Sequence, residues 1–378
     1  MTPAALAGRV VLRPGVTPPH GVACERPDLL PRLAPGRRAD EMPALLGSLF
    51  ALCAGAHRLT AAAALRAARG EPTDAATATV TRRTLRLGTA REQILRLSHD
   101  WPRLLRRDGG DDGGALMLRA CPLWRDDLSG DDQLDALPGW LAHKWLGEAP
   151  AAWLQAYLDD PVGAPQRWVQ RAMRGGMATP LARLLHRIGP DARALATPGR
   201  ALDVARLAWP ALAAALQREP AFGLRPHLDG QAADTGPWRR RAETLPAGLT
   251  GATAWDRLIA RLAEVLRLAG PHGDDWLAHG ACPLGPGDGL AWCEMARGLL
   301  VHHARLDASG QRVTAWQVLA PTEWNFHPDG ALARALAGVT DADGEASERL
   351  ARLLAVAFDP CVEVVVDRNP SPGARCDA

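Results

Sequence analysis

Residues 298–319 read GLLVHHARLDASGQRVTAWQVL, and this stretch contains two apolar runs on either side of a turn sequence. The runs extend from Gly298 to Leu306 and from Val313 to Leu319, and each has the composition of a β-strand. Between them, Asp307-Ala308-Ser309-Gly310 supplies residues that favour a tight turn. The stretch therefore predicts a β-hairpin in the last third of the chain.

Helical patterns dominate the chain before this hairpin. Beyond Pro43, apolar residues recur at helical spacing through the alanine-rich stretch Thr60 to Arg69, which predicts one strong, buried helix. A second helical pattern extends from about Val80 to Leu105, and the Gly- and Asp-rich stretch Asp108 to Gly114 then predicts a loop. From Leu134 to about Leu266 the pattern is again helical, with proline turns between segments.

The two ends of the chain predict further short elements. The apolar run Val10 to Leu12, followed by turn residues, predicts an N-terminal strand or hairpin. Near the other end, Ser347 is a candidate N-cap for a helix that Pro360 prevents from continuing, so Cys361 is expected at a helix end. Residues 362–366 predict a short strand. These patterns together predict an α+β fold that is mostly helical.

The composition excludes several classes of protein. Of the 378 residues, 47% are hydrophobic and 23% are charged, which is typical of a globular protein and excludes intrinsic disorder. The 44 basic and 42 acidic side chains nearly cancel and no arginine-dense face recurs, so we expect no nucleic-acid partner. No stretch approaches the roughly 18 apolar residues of a membrane-spanning helix, and no signal-peptide pattern is present. We therefore expect a cytoplasmic protein without a membrane partner.

The cysteines are scattered along the chain. There are seven of them without any CxxC pair, in a sequence without an export signal, so a disulfide framework is not expected. Zinc-ribbon and iron–sulfur spacings are also missing. Any metal site must therefore assemble from distant segments. The cysteines are Cys24, Cys53, Cys121, Cys282, Cys293, Cys361 and Cys376.

Cys53 and His57 form the first candidate site. On a helix, residues separated by four positions lie on the same face, one turn apart. One interpretation is a metal thiolate with a histidine beside it; the other is a buried core cysteine and a histidine that bonds to a backbone carbonyl. Cys361 is still less informative by itself, because a cysteine at a helix end is common. The residues alone leave both interpretations open.

The order of four short segments resembles the large subunit of nickel–iron hydrogenases. Residues 52–57, LCAGAH, resemble the end of the family pattern R-x-C-G-x-C-x-x-x-H, with Cys53 on its second cysteine and His57 on its histidine. The other three segments are 294–302 (EMARGLLVH), which resembles E-x-P-R-G-x-x-x-H, 320–325 (APTEWN), which resembles P-T-x-W-N, and 359–361 (DPC), which resembles the start of D-P-C-x-x-C-x-x-H.

The sequence departs from this family at two of its four cysteines. Phe50 stands in place of the first cysteine and Val364 in place of the last, so Cys53 and Cys361 remain as candidate metal ligands. The family's centre uses four thiolates, the soft ligands that nickel and iron share. With at most one terminal thiolate left for nickel, the resemblance implies a protein without nickel and without a working hydrogen-oxidising centre.

What remains resembles the iron half of the family's site. Arg297, Pro321 and Thr322 match positions that line the pocket for the cyanide ligands of iron, and His57 completes the implied cofactor-binding set. A guanidinium and a hydroxyl can donate hydrogen bonds to a cyanide nitrogen. Cys53 corresponds to a bridging cysteine but Cys361 to a nickel ligand, which leaves open whether both bind one iron. Cys293 is a possible substitute.

These departures resemble the accessory proteins HupK and HoxV of hydrogenase maturation. The resemblance implies a non-enzymatic scaffold that transiently holds iron carrying CO and two cyanides and passes it to the hydrogenase large subunit. Its other partners would be the maturation proteins that build and deliver the iron moiety. Two alternatives are a metal-free interaction protein that mimics the large subunit and a degenerate nickel-binding hydrogenase subunit.

The resemblance also implies how the chain is organised. We expect a single, shortened domain like the large subunit over residues 1–378. It would contain an N-terminal active-site-like segment at 26–105, a variable helical middle at 106–289 and a C-terminal active-site-like segment at 290–367. In such a fold, the helix that carries Cys53 lies against the C-terminal helix end that carries Cys361.

Overall fold

Most of the secondary structure is helical. The computed structural model describes residues 8–105, 114–176, 178–219, 221–240, 252–340 and 344–368. In chain order the helices are α1 Leu30–Leu33, α2 Met42–Leu49, α3 Ala54–Ala68, α4 Ala75–Leu95, α5 Trp101–Leu104, α6 Gly114–Arg119, α7 Gly130–Leu141, α8 Pro150–Asp159, α9 Gly163–Arg174, α10 Pro180–Ala194, α11 Trp209–Arg218, α12 Pro237–Arg240, α13 Ala254–Ala269, α14 Pro321–Asn325, α15 Ala331–Ala337 and α16 Gly344–Phe358.

The strands of the described residues form three small sheets. They are β1 Arg9–Leu12, β2 Val22–Glu25, β3 Arg200–Ala201, β4 Ala233–Asp234, β5 His279–Gly285, β6 Asp288–Met295, β7 Gly298–Leu306, β8 Val313–Leu319 and β9 Glu363–Val366. Their orders are β2-β1-β9, β3-β4 and β5-β6-β7-β8. The mixture of dominant helices with separate sheets confirms the α+β prediction.

The predicted hairpin is half of a larger antiparallel sheet. Strands β7 and β8 have the predicted bounds, and Val301 pairs with Leu319. The prediction missed β5 and β6, which extend the sheet on the other side of β7. Helix α3 packs across β6 at Gly289, where a Cβ would overlap the backbone of Ala68. Nearer the start of α3, Thr60 donates a hydrogen bond to Cys293 near the end of β6, so the start of the helix lies toward the β6–β7 turn.

The predicted single helix beyond Pro43 is wrong, because it consists of two helices. Helices α2 and α3 are separated by a 3-10 turn at Ala51–Cys53, and the two helical segments meet at an angle of 106°. Phe50 and Cys53 leave the α-helical conformation, with ψ angles of 57° and 32°. The Phe50 ring stacks on the His57 ring across the bend at 4.0 Å, a contact that helical periodicity does not encode. Cys53 therefore lies at the N-cap of α3.

The second predicted helix starts earlier than expected. Asp74 caps α4 by accepting a hydrogen bond from the backbone N–H of Thr77, so the helix begins before Val80. It continues through a π-helical turn at Arg96–Asp100 into α5, close to the predicted end. Of the predicted loop, residues 108–113 lie outside the described part of the chain.

The described helices were also compared with the length and composition of a membrane span. None of them is long and apolar enough by itself to cross a membrane. The bent pair Ala39–Leu49 and Ala51–Ala68 meets the criteria only when its two parts are counted together.

The two ends of the chain meet in one sheet. Val10 on β1 pairs with Cys24 on the antiparallel strand β2 and with Val364 on the parallel strand β9. This confirms the predicted N-terminal hairpin and C-terminal strand. The N-cap prediction for Ser347 is wrong, because α16 already begins at Gly344. The helix ends at Phe358, ahead of Pro360 as predicted.

The middle of the chain is mainly helical, as predicted, and it surrounds α13. Thr253 and Asp256 form a capping box at the start of this helix, and almost every α13 side chain is buried. The short strands β3 and β4, which pair in parallel, were not predicted. Trp140, Trp153 and Trp168 pack into the same core cluster as α13. This core supports the buried charges described next.

Candidate functional site

Segments from distant parts of the chain converge beside the start of α3. Leu52, next to Cys53, and Pro360, next to Cys361, line one cavity of about 620 Å³. The cavity also reaches Val364 on β9. The turns that carry the two cysteines therefore lie next to each other, although about 300 residues separate them in the sequence.

The thiols of Cys53 and Cys361 lie within electrostatic reach of each other. Cys53 is 6% exposed, and burial raises the pKa of its thiol; the charge of Cys361 raises it further. Two guanidinium groups, Arg297 and Arg26, act in the opposite direction. The structure therefore brings the two predicted ligands into one charged environment.

Arg297 lies between two carboxylates at the β6–β7 turn. Its Nη1 donates a hydrogen bond to Glu92 Oε2 at 2.7 Å, and its Nε lies 3.7 Å from Asp359 Oδ2. Burial lowers the pKa of this guanidinium, but the charges of Asp359 and Glu92 outweigh that effect and the pKa is raised. The Nε atom is buried and donates no hydrogen bond to the described residues, so one directed donor is available.

Asp359 holds the turn that presents Cys361. Its side chain is 4% exposed and contacts Arg96 and Arg261 at 3.0 Å each, in addition to Arg297. Burial raises the pKa of the carboxyl, but the three guanidinium groups lower it overall, so it remains ionised. Arg96 also donates to the carbonyl of Pro360 at 2.7 Å. The ionic cluster thereby fixes the backbone immediately before Cys361.

Thr322 contacts Cys361 directly. Pro321 and Thr322 form the first turn of α14, and both are buried. Thr322 Oγ1 lies 3.0 Å from Cys361 Sγ and accepts a hydrogen bond from the Cys361 backbone N–H at 3.4 Å. At the end of α14, Asn325 donates to the backbone carbonyl of Arg297 at 3.3 Å. This short helix thus connects the Arg297 turn with the Cys361 turn.

His57 lies behind this site in a buried pair. Its Nδ1 is 3.0 Å from Nε2 of His302, and its ring stacks on Phe50. Burial lowers the pKa of both imidazoles, that of His302 to about 3, so the pair is neutral. The partner of the His57 Nδ1 atom is thus His302 rather than a backbone carbonyl. The Nδ1 atom of His57 is thus engaged in the core, on the far side of the Phe50 ring from Arg26.

Cys293 faces a different part of the molecule. It is 2% exposed and accepts a hydrogen bond from Thr60 Oγ1 at 3.1 Å. It lines a separate cavity of about 210 Å³ together with Thr60 and His279. These contacts fit the interpretation of a packed core cysteine.

Cys24, Arg26 and Glu323 belong to the site and were missed by the sequence analysis. Arg26 Nη1 donates to Glu323 Oε1 at 2.9 Å and lies 3.9 Å from Cys361 Sγ. Burial and the charge of Glu323 raise the pKa of the Cys24 thiol to about 12. Cys24 lies on β2 and Arg26 directly follows the end of that strand, and no sequence signal connects either residue with Cys361.

The metal-ligating side chains of the described residues were also compared with known metal sites. Among the described residues, no group of three or more His, Cys, Asp or Glu side chains is arranged to hold a metal ion. Structural zinc sites, for comparison, use four protein ligands. What the described residues do offer here is the thiols of Cys53 and Cys361 and nearby hydrogen-bond donors.

Curated proteins resemble the chain over most of its length, although no family model matches it. It is 36% identical to the hydrogenase expression/formation protein HoxV of Cupriavidus necator, covering 98% of this chain and 97% of that protein. It is 34% identical to the hydrogenase expression/formation protein HupK of Bradyrhizobium diazoefficiens, covering 89% of each. For HupK of Azotobacter vinelandii the identity is 32%, over 94% of this chain and 97% of that protein.

Solved structures confirm the predicted fold of a hydrogenase large subunit. The [NiFeSe] hydrogenase of Desulfovibrio vulgaris Hildenborough in the reduced state matches with a TM-score of 0.54 and 15% identity, covering 90% of this chain and 92% of that chain. The NAD⁺-reducing [NiFe]-hydrogenase in the H₂-reduced state matches with a TM-score of 0.53 and 16% identity, covering 90% and 91%. At these identities the likeness concerns the fold alone.

Proposed function

The chain belongs to the family of hydrogenase expression/formation proteins that includes HoxV and HupK, and from this we propose that it is a scaffold for the iron of a nickel–iron hydrogenase. In this proposal it transiently holds iron that carries CO and two cyanides, in the cytoplasm. It receives this cargo from the proteins that build it and passes it to the hydrogenase large subunit. It catalyses no reaction and holds no nickel.

The observation that carries the proposal is the pairing of two neighbouring thiols with unused donors. Cys53 and Cys361 supply two sulfurs, and no third protein ligand completes a metal centre among the described residues. Iron that brings three diatomic ligands needs few ligands from the chain. A bare ion would lack most of its coordination here.

The surrounding donors suit the outer atoms of such a cargo. The buried Nε of Arg297 and the hydroxyl of Thr322 can donate to cyanide nitrogens. Charge-assisted hydrogen bonds of this kind contribute on the order of 1.5–3 kcal/mol. They position the iron without adding covalent bonds, so release requires only the two sulfurs to be exchanged.

Transfer is downhill if the recipient holds the iron more tightly. In the family's centre iron shares two bridging thiolates with nickel, so the recipient holds the iron as part of a two-metal centre, whereas this chain supplies two thiols and no nickel. The large-subunit-like fold gives the scaffold a shape related to that of its recipient. Both features favour a temporary rather than a resident cargo.

Infrared spectroscopy of protein isolated from its native host tests the proposal. We expect C≡N and C≡O bands, iron at up to one per chain and no stoichiometric nickel. Cys53→Ala should remove the bands, whereas Cys282→Ala, a cysteine on β5, should retain them. One nickel per chain, or bands that persist in Cys53→Ala, would contradict the proposal.

A metal-free interaction protein is the second candidate. The likeness in fold to a hydrogenase chain, over 92% of that chain, favours it. In this case Cys53→Ala should still bind the large subunit and support maturation. Failure of maturation with intact binding favours the scaffold instead.

A further inference from the structure

A fixed positive charge lies against the Cys361 thiol. The Arg26 side chain is 12% exposed, and its Nη1 lies 3.9 Å from Cys361 Sγ. The same nitrogen donates to Glu323 at 2.9 Å, and the guanidinium carbon lies 4.8 Å from the centre of the Phe50 ring. Arg26 is thus held by an ion pair, by a cation–π contact and by the thiol itself.

Neighbouring groups prevent the guanidinium from moving away. The Glu323 side chain is 6% exposed, so separation would leave a buried carboxylate without its counter-charge. Phe50 is in turn fixed by stacking on His57 at 4.0 Å. The positive charge is therefore a permanent part of the site, because a guanidinium stays protonated at all physiological pH values.

This charge distinguishes two kinds of metal cargo. A bare divalent cation bound to Cys361 would lie within a few ångströms of the guanidinium, where like charges repel strongly at low dielectric. Iron(II) with two cyanides and one CO carries no net charge, because the two cyanides neutralise the metal. Its cyanide nitrogens also accept hydrogen bonds from guanidinium groups. The same side chain thus repels the first cargo and stabilises the second.

We propose that Arg26 excludes bare divalent cations from the thiols of Cys53 and Cys361, and so selects iron that already carries its anionic ligands. The identity of the selected iron rests on the proposed function, whereas the exclusion does not. Arg297 pairs with two carboxylates, Glu92 and Asp359. Arg26 pairs with Glu323, and its Nη1 also contacts the Cys361 sulfur directly, so its charge acts on a bound metal at the shortest range.

Zinc binding to the recombinant, reduced, cargo-free protein tests the exclusion. Zn²⁺ is added alone in competition with a chromophoric chelator, and Kd is measured for the wild type and for Arg26→Gln/Glu323→Gln. The double variant removes both charges together and leaves no unpaired buried carboxylate. We expect it to bind Zn²⁺ at least about 100-fold more tightly than the wild type.

Three further variants show where the gain in Zn²⁺ affinity arises and what causes it. Adding Cys361→Ala to the double variant should abolish the gain. Arg26→Lys, which keeps a positive charge, should bind Zn²⁺ as weakly as the wild type. Arg9→Leu removes an exposed arginine from the neighbouring strand β1 and should leave the affinity unchanged.

Three results would overturn the inference. They are equal Kd values for the wild type and the double variant, a gain that survives Cys361→Ala, and tight Zn²⁺ binding by Arg26→Lys. None of these measurements involves iron, cyanide or maturation. A scaffold that fails to carry iron in its native host would therefore leave the zinc result standing, and the two hypotheses can fail separately.

Discussion

Two buried polar clusters flank the site, and they differ in charge: the side chains of one are ionised, and those of the other are neutral. Around Asp359, full charges are retained because Arg96, Arg261 and Arg297 compensate the carboxylate, whose pKa is lowered. Behind Phe50, His57 and His302 are kept neutral, because burial lowers their pKa values and no carboxylate pairs with either imidazole in the described structure. The stability of the first cluster therefore depends on each of its charged partners. The stability of the second depends on pH, because protonation would place a charge in the core.

The largest expected effect is the loss of charge at Asp359. Its backbone has a φ of 54°, a left-handed conformation that asparagine also adopts, so Asp359→Asn changes the charge with little backbone strain. The three arginines would lose their common counter-charge. Breaking a buried ion pair in this way costs about 3–5 kcal/mol, which chemical denaturation can measure.

Asp229 provides a matched control for this substitution. It has a similar φ of 51°, but its side chain is 85% exposed and pairs with Arg200 at the surface. Asp229→Asn should cost no more than about 1 kcal/mol, as is usual for surface ion pairs. Equal effects of the two substitutions would show that Asp359 is not the electrostatic centre of the cluster.

Loss of Arg297 should have a smaller effect on stability and a selective effect on cargo. Arg297→Leu leaves the part-buried Glu92 without its hydrogen-bonded partner, and the loss of such a partner costs about 1–3 kcal/mol. It also removes the unused Nε donor. We expect a lower melting temperature together with loss of the C≡N infrared bands from protein isolated from its native host.

Arg240→Leu separates the two effects. Arg240 is similarly buried and pairs with Glu264 and Glu294, and its described partners do not include Cys53 or Cys361. Its loss should lower the melting temperature to a similar degree and leave the infrared bands in place. If both variants lose their bands equally, Arg297 acts only as a structural support.

The features that the sequence predicted correctly depend on contacts between residues that are close in the chain, and those it missed depend on distant contacts. The hairpin of β7 and β8 depends on neighbouring residues, and its bounds are correct. The bend at Phe50 depends on stacking against His57 and on packing, so helical periodicity predicted a continuous helix there. Cys24 on β2 reaches the site through a sheet in which β2 pairs with β1 and β1 pairs with β9, more than 350 residues away.

The residues of the candidate site also divide into those that the sequence predicted and those that it missed. Arg297, Thr322 and Cys361 stand in short motifs, and the structure brings them within contact of one another or of shared partners. Arg26 lies in no motif, and Glu323 occupies the variable position of the segment 320–325, so the sequence does not mark these two residues as an ion pair. Their meeting depends on the tertiary arrangement of β2 and α14, which local spacing does not encode.

The smallest expected effect concerns the histidine pair and appears only in acid. The pKa of His302 is lowered to about 3 in the folded protein, whereas an unfolded histidine titrates near 6.5. Between these values the unfolded state binds more protons, so the free energy of unfolding decreases as the pH falls below about 6.5. The slope per group approaches 1.4 kcal/mol per pH unit, or about 2 kcal/mol between pH 6.5 and 5. His57 acts in the same direction.

His302→Gln removes this contribution while keeping a side chain that can bond to His57. Urea unfolding at pH 7 and pH 5 should therefore show a pH-dependent loss of stability that is about 2 kcal/mol smaller in His302→Gln than in the wild type. His272→Gln, at an exposed histidine, should retain the wild-type difference. An unchanged difference in His302→Gln would mean that His302 is protonated alike in both states. The proposed contrast between a neutral histidine pair and the ionised cluster around Asp359 would then be wrong.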